Sequence, residues 1–329
     1  SDAASKVGKG NRRADTKPEI QLRSALHRRG LRFRKDLLVR AEAVKVHADV
    51  VFTRRRLVAA GLAVGATASF TPAWADSQWE ASVLLPAGEY QAAVNQMVSR
   101  GFRPAHINVA NIGGEPRFSA IFTETDGRAW EARHDLTSAA YQTAFDRFLK
   151  QGYRPVRVCG YDKGGEIRYA AVWEKVRGPA FEARHNMTSA QYQKTFNDLV
   201  ARGYQPRQLS GFNVGGQSLF AAIFEADRAT PFSAMHDLNS RGYQAAFNQM
   251  NAKGYVLRQV SGYAGGPAPR FAAIWTKTPT PPQEARHNLT LAGLQATMAP
   301  LLAKGYRLAD LSAYDVSGQA RFAAFWLKD

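Results

Sequence analysis

Gly152-Tyr153-Arg154-Pro155-Val156-Arg157-Val158-Cys159-Gly160-Tyr161 leads through Asp162-Lys163-Gly164-Gly165-Glu166 into Arg168-Tyr169-Ala170-Ala171-Val172-Trp173. Two strand-forming runs around a double glycine read as a β-hairpin. Pro155 lies near the start of the first run, where a missing N–H donor is tolerable. The returning run is apolar on both faces, which places it in the middle of a sheet. Just upstream, Trp130-Glu131-Ala132-Arg133-His134 alternates like a short strand. Thr137 or Ser138 caps a helix with an apolar stripe of Tyr141, Phe145, Phe148 and Leu149, and Gly152 ends it in a left-handed C-cap. The unit is a strand, a helix and a hairpin.

This unit recurs at a fixed step. Gly101-Phe102, Gly152-Tyr153, Gly203-Tyr204, Gly254-Tyr255 and Gly305-Tyr306 are each 51 residues apart, and Ala120-Ile121-Phe122 recurs in register as far as Ala324-Phe325-Trp326. Five copies follow, at 78–126, 127–177, 178–228, 229–279 and 280–329. A unit this small cannot cover its own sheet, so neighbours must complete the core. The expectation is an α+β protein of five tandem repeats stacked in an arc or a ring. The first copy lacks the histidine motif of the others, which hints at a capping role and favours an arc.

Composition bounds the rest. The 329 residues carry one cysteine, 45% hydrophobic residues and a net charge of +17, which excludes a disulfide-stapled miniprotein and an acidic disordered chain. Residues 1–56 hold 16 Lys+Arg against 6 Asp+Glu, net +10, leaving +7 for residues 57–329. The first segment has the profile of a phosphate-binding or processing segment, and the remainder that of a mildly basic globular surface.

At the junction, residues 53–75 read as a targeting signal. Arg54-Arg55-Arg56 precedes an uncharged run from Leu57 to Trp74, and Ala73-Trp74-Ala75 ends it before Asp76. This resembles a twin-arginine signal, with export and cleavage after Ala75 expected; a membrane anchor and a buried Ala-rich helix are the alternatives. The first methionine is Met97, and the expected translation start is at Val50 or Val51.

Upstream, Asn11-Arg12-Arg13-Ala14-Asp15-Thr16-Lys17-Pro18-Glu19, Leu22 to Arg34 and Ala48-Asp49-Val50-Val51-Phe52 resemble the start of a very short patch repair (mismatch) endonuclease, over about residues 9–56. Thr16 reads as a helix cap, Gly30 as its stop and Val50-Val51-Phe52 as a strand. The resemblance implies an active-site acid at Glu19 and a Mg2+ ligand at Asp49. The family's following Gly-Cys-Phe-Trp-His segment is replaced by Arg54-Arg55-Arg56-Leu57, so the motif stops halfway. One carboxylate without its partners seldom holds magnesium, and the reading is a truncated, inactive remnant. Magnesium and DNA enter only if that fragment functions.

The copies themselves resemble the bacterial tandem-repeat domain that accompanies beta-lactamase-like serine hydrolases, including fungal polyglycine hydrolases. Glu182-Ala183-Arg184-His185-Asn186-Met187-Thr188, Gly203-Tyr204-Gln205-Pro206, Ser210-Gly211-Phe212 and Phe220-Ala221-Ala222-Ile223-Phe224 carry the likeness, which covers residues 78–328. The sequence holds neither Ser-x-x-Lys nor Gly-x-Ser-x-Gly. The resemblance therefore implies an accessory or recognition module.

Two rows of repeated residues are candidates for binding. His134, His185, His236 and His287, each followed by Asp or Asn, read either as structural strand ends or as a ligand-facing row. Their 51-residue spacing offers no local metal-ligand pair, and no cofactor is expected for the repeats. Tyr161, Phe212, Tyr263 and Tyr314 precede hairpin turns. They read either as half-exposed stacking platforms for sugars or peptides, or as plugs between units. Arg133, Arg184 and Arg286 read as anion contacts or a solvated face, and Cys159 as a small structural residue. The preferred function is an exported, non-catalytic, monomeric repeat protein that binds an extracytoplasmic polymer or protein. The alternatives are a DNA mismatch endonuclease-like protein and a hydrolase with its site between repeats.

Overall fold

A computed structural model describes residues 33–34, 37–41, 44–48, 51–52, 68–70, 79–266 and 268–328. Contacts divide the chain into two units, residues 1–64 with 71–77, and residues 65–70 with 78–329. In the first, Phe33–Arg34 pairs antiparallel with Val51–Phe52, and Leu37–Ala41 with Val44–Ala48. Val51-Phe52 is thus a strand, as expected, whereas the expected helix after Thr16, Glu19 and Asp49 lie outside the described residues.

In the second unit the strand-helix-hairpin pattern holds five times. Copy 2 runs through strand Trp130–Leu136, helix Ser138–Lys150 and strands Arg154–Lys163 and Glu166–Glu174. The third strand is central, paired antiparallel with both others. The same first-third-second order repeats in copies 3, 4 and 5, and in copy 1, where Ala68–Phe70 adds a fourth strand beside Trp79–Leu85. That added strand lies within the stretch expected to act as a targeting signal. Helix starts follow the local chemistry, since the Thr137, Thr188 and Thr290 hydroxyls and the Asn239 side-chain carbonyl each accept from the N–H three residues on.

The core lies between copies rather than inside them. Five clusters of buried side chains are each built by two neighbours, and the fifth joins copy 5 to copy 1. The second strands of the five copies lie side by side around an axis, that of copy 5 returning to Phe102–Ile112 of copy 1. The copies therefore close into a ring, one of the two arrangements expected, and not the arc that the missing histidine of copy 1 favoured. The missing histidine of copy 1 has a packing reason. Val83 stands at the histidine position and packs with Leu294, which replaces the helix tyrosine of the other copies, so both members of one contact change together.

Close approach at the axis depends on bare backbone. A Cβ on Gly160, Gly211 or Gly262 would come within 2.3–2.4 Å of the ring of Phe212, Tyr263 or Tyr314 of the next copy. At the closing junction Ala313 takes the glycine position and Ala110 the aromatic one, a second paired change. Gly211→Ala is expected to lower stability by about 1–3 kcal/mol through overpacking against Tyr263, read as a lower denaturant midpoint with an unchanged slope.

Candidate functional site

Three places in the ring bring polar chemistry together: the axis, the contacts between neighbouring copies, and a groove between copies 1 and 2.

At the axis, the second strands of copies 1, 3, 4 and 5 each lay two side chains on the strand before them, whereas in copy 2 Cys159 alone does so and Arg157 lies 3.8 Å from Asp310 instead. Gln208 accepts from Val158 N–H (3.4 Å) and donates to its carbonyl (2.9 Å), and Gln259 does the same to Leu209 (2.8 and 2.7 Å). Asp310 accepts from Val260 N–H at 2.9 Å. His106 closes the circuit, with Nε2 2.7 Å from the Leu311 carbonyl and Nδ1 3.0 Å from Asp310 Oδ1. Burial pushes His106 down to about 4, against the opposing pull of Asp310. Two residues on, the side chains of Ser210, Ser261, Ser312 and Asn108 accept from the N–H groups of Gly160, Gly211, Gly262 and Ala313. Cys159 holds the same place, its sulfur accepting from Val109 N–H at 3.1 Å, and burial pushes its thiol up to about 11. A buried thiol in this state is a poor nucleophile. The axial space is about 10 Å³, the size of one water, and is lined by these clasps.

The aromatic row is buried. Tyr161, Phe212, Tyr263 and Tyr314 are 1–4% exposed, which fits plugs between units rather than half-exposed platforms at hairpin tips. Their rings fill the gap between copies, and the tyrosine hydroxyls accept from the backbone N–H of Asp135, Asp237 and Asn288. Those three residues and Asn186 hold φ of 55–58°, the left-handed region in which Asp and Asn are the favoured non-glycine residues. Phe212 has no hydroxyl to offer Asn186. Tyr169 of copy 2 supplies it across the junction, at 3.2 Å from Asn186 N and 2.7 Å from Asn186 Oδ1.

The histidine row joins copies. His134, His185, His236 and His287 each pack edge-on against the helix tyrosine of the preceding copy, with ring centroids 4.8–5.4 Å apart. Nε2 of His236 and His287 lies 3.0 Å from the hydroxyls of Ser189 and Ser240, and that of His134 3.1 Å from Gln91 Oε1. Ser189 also donates to Asp237 Oδ2. Serine, histidine and aspartate thus meet, but not as a triad. Asp237 sits on the serine hydroxyl and on the Nε2 side of His236, 3.8 Å away, and so does not orient the imidazole as a base through Nδ1. Arg133, Arg184 and Arg286 are exposed and each pairs with the glutamate two residues earlier, at 2.7–2.9 Å. Among the described residues no three His, Cys, Asp or Glu side chains converge on a metal-sized site, and no helix is long and apolar enough to cross a membrane.

The groove escaped the sequence reading. Between copies 2 and 3, Phe145 meets Phe181 at 6.5 Å, and between copies 3 and 4, Phe196 meets Phe232 at 6.2 Å. Between copies 1 and 2 the corresponding residues are Val94 and Trp130. The smaller valine leaves a groove of about 470 Å³ beside Trp130, Val98, Asn95 and Arg133. The signal was present as a departure from the repeat, Val94 where three copies carry phenylalanine.

Two predictions follow from these contacts. Tyr169→Phe leaves the Asn186 N–H without its partner and is expected to cost about 1–2 kcal/mol in denaturant unfolding, and adding Phe212→Tyr is expected to recover most of it by placing a hydroxyl where copies 2, 4 and 5 have theirs. Burial lowers His106, His134, His185, His236 and His287 from the ordinary 6.5. The unfolded chain therefore binds protons first. The histidine contribution is complete above pH 6.5 and declines as pH falls below it, so the thermal midpoint drops from pH 7.5 to 5.5, and His236→Gln with His287→Gln makes that drop shallower.

Comparison with known proteins places these features. A 48-residue stretch is 56% identical to the Type II nicking enzyme V.NaeI of Lentzea aerocolonigenes, covering 14% of this chain and 29% of that enzyme, so the chain spans under a third of the relative it matches. Residues 76–125, 127–176, 178–227, 229–278 and 280–329 each match the polyglycine hydrolase-like structural repeat, BTRD1. With five successive matches over most of its length, the chain belongs to the family of polyglycine hydrolase-like structural repeats.

Proposed function

We propose that the chain is an exported, non-catalytic ring that recognises a polymer or protein outside the cytoplasm, as a monomer. The observation that carries this reading is how the repeated side chains are employed. The histidine and tyrosine rows and the axial amides and hydroxyls are engaged in joining copies. A side chain held in such a contact serves the fold, so recognition falls to positions that break the repeat, and the groove between Val94 and Trp130 is such a break. Export rests on Arg54-Arg55-Arg56, the uncharged run and Ala73-Trp74-Ala75. Cleavage after Ala75 removes Ala68–Phe70 from the edge of copy 1 and leaves all five matched repeats in the mature chain.

The match to a nicking enzyme favours a second reading, in which the leading segment acts on DNA with magnesium through Glu19 and Asp49. Those residues lie outside the described part of the chain.

One preparation tests both. Protein recovered from an exporting host is expected outside the cytoplasm with Asp76 as its first residue, by intact mass and N-terminal sequencing. Full-length cytoplasmic protein that nicks mismatched duplex with Mg2+, and loses this in Asp49→Ala, overturns the first reading in favour of the second.

A further inference from the structure

The groove between copies 1 and 2 has one wall from helix Ala87–Ser99 and the other from strand Trp130–Leu136. On the helix, Gln91, Asn95 and Ser99 are four residues apart, which lines their polar groups along one face, with Val94 and Val98 beside them. Val98 is 44% exposed, the one large hydrophobic side chain so open among the described residues. On the strand, Trp130 is half-buried, and its indole N–H has no hydrogen-bond partner among the described residues. The junction between copies 5 and 1 supplies the control. Trp79 occupies the equivalent position there, but it is 7% exposed and packed with Met298, which stands where copy 1 has Val94. The same ring on the same strand is sealed at one junction and open at the other.

The lining selects a ligand class. Glu131 and Arg133 pair at 2.7 Å, so the groove presents no net charge to a charged ligand. An apolar ligand would strip water from Asn95 and Ser99 without replacing its hydrogen bonds. A neutral, hydroxylated ring meets both demands: its C–H face lies on the indole, and its hydroxyls reach the Asn95 amide, the Trp130 N–H and the outer oxygens of Glu131. The volume of about 470 Å³ falls within the roughly 300–1,000 Å³ of small-ligand sites. We infer that this groove is a saccharide-binding site, with Trp130 as the stacking platform. The inference rests on the reading of the ring as a recognition module.

The probes are the tetrasaccharides of β-linked glucose and of β-linked N-acetylglucosamine, titrated into the full chain by calorimetry and by tryptophan fluorescence. Trp130 is expected to report binding, because the other tryptophans of the described residues, Trp79, Trp173, Trp275 and Trp326, are buried, and the difference between the chain and Trp130→Ala separates its signal from that of Trp74. At least one tetrasaccharide is expected to bind. Trp130→Ala is expected to weaken it at least tenfold. Val94→Phe is expected to abolish it with the thermal midpoint unchanged, since copies 2, 3 and 4 fold with phenylalanine at that place. Failure of both sugars to bind at millimolar concentration overturns the inference, as does binding that survives both substitutions. Pentaglycine binding that depends on Trp130, without sugar binding, also overturns it while leaving the ring a recognition module.

Discussion

Everything in the ring depends on how each second strand treats the open edge of its neighbour. A strand at the edge of a three-stranded sheet presents unpaired N–H and C=O groups, which cost free energy if buried dry and invite foreign strands if left exposed. Neighbouring sheets do not merge into one ladder here. Side chains of the next copy stand in for a strand, with Gln208 and Gln259 meeting both backbone groups of Val158 and Leu209, and Ser210 and Ser261 taking the next N–H along. A primary amide sets an N–H donor beside a carbonyl acceptor in the spacing of a peptide group, so the oxygen and one of its two N–H groups substitute directly for the missing ladder partner. Because each copy satisfies the one before it, an open arc would leave one inner edge unmet. Closing through His106 on Leu311 and Asn108 on Ala313 removes that edge.

Closure also has to occur at one junction and no other, and the sequence encodes this by changes made in pairs. Histidine on tyrosine becomes Val83 on Leu294, and aromatic on glycine becomes Ala110 on Ala313. A copy 5 helix meeting any other first strand would set Leu294 against histidine and forfeit the edge-on ring contact. The tips of the hairpins add a polar check, since Gly113 N–H donates to Asp315 across the same junction at 3.1 Å. Identical modules would be free to assemble in several orders, and small mismatches at the ends restrict them to one.

The step of 51 residues, the central third strand and the helix caps were legible because each follows from local chemistry: Gly152 at a C-cap, Thr137 before a stripe, Ala170-Ala171 in a run apolar on both faces. Closure was not legible, because the absence of histidine from copy 1 acquires meaning only beside Leu294, more than two hundred residues away. The aromatic row was placed at the right end of its strand, yet its burial depends on the residue it meets in the preceding copy, a glycine for Phe212, Tyr263 and Tyr314 and Val109 for Tyr161, which a reading of one unit does not weigh. The hydroxyl that Tyr169 lends to Asn186 shows the same limit, for it replaces one that Phe212 lost within a different copy. What escaped was pairing between copies rather than structure within them.

A repeat protein puts a particular constraint on where function can sit. A side chain that recurs from copy to copy is held there by a contact that also recurs, as the four histidines are by the tyrosines before them. Such positions cannot be altered for a ligand without loosening a junction. A position that has escaped the repeat without harming the ring is free to be selected for something else. Val94 and Trp130 meet that condition: the Phe145–Phe181 and Phe196–Phe232 contacts seal the same gap elsewhere, and the ring closes with this one unsealed. The groove is lined by none of the residues that form the axial clasps, and within its lining Tyr90, Gln91 and His134 hold the junction while Val94, Val98 and Trp130 are left for a ligand.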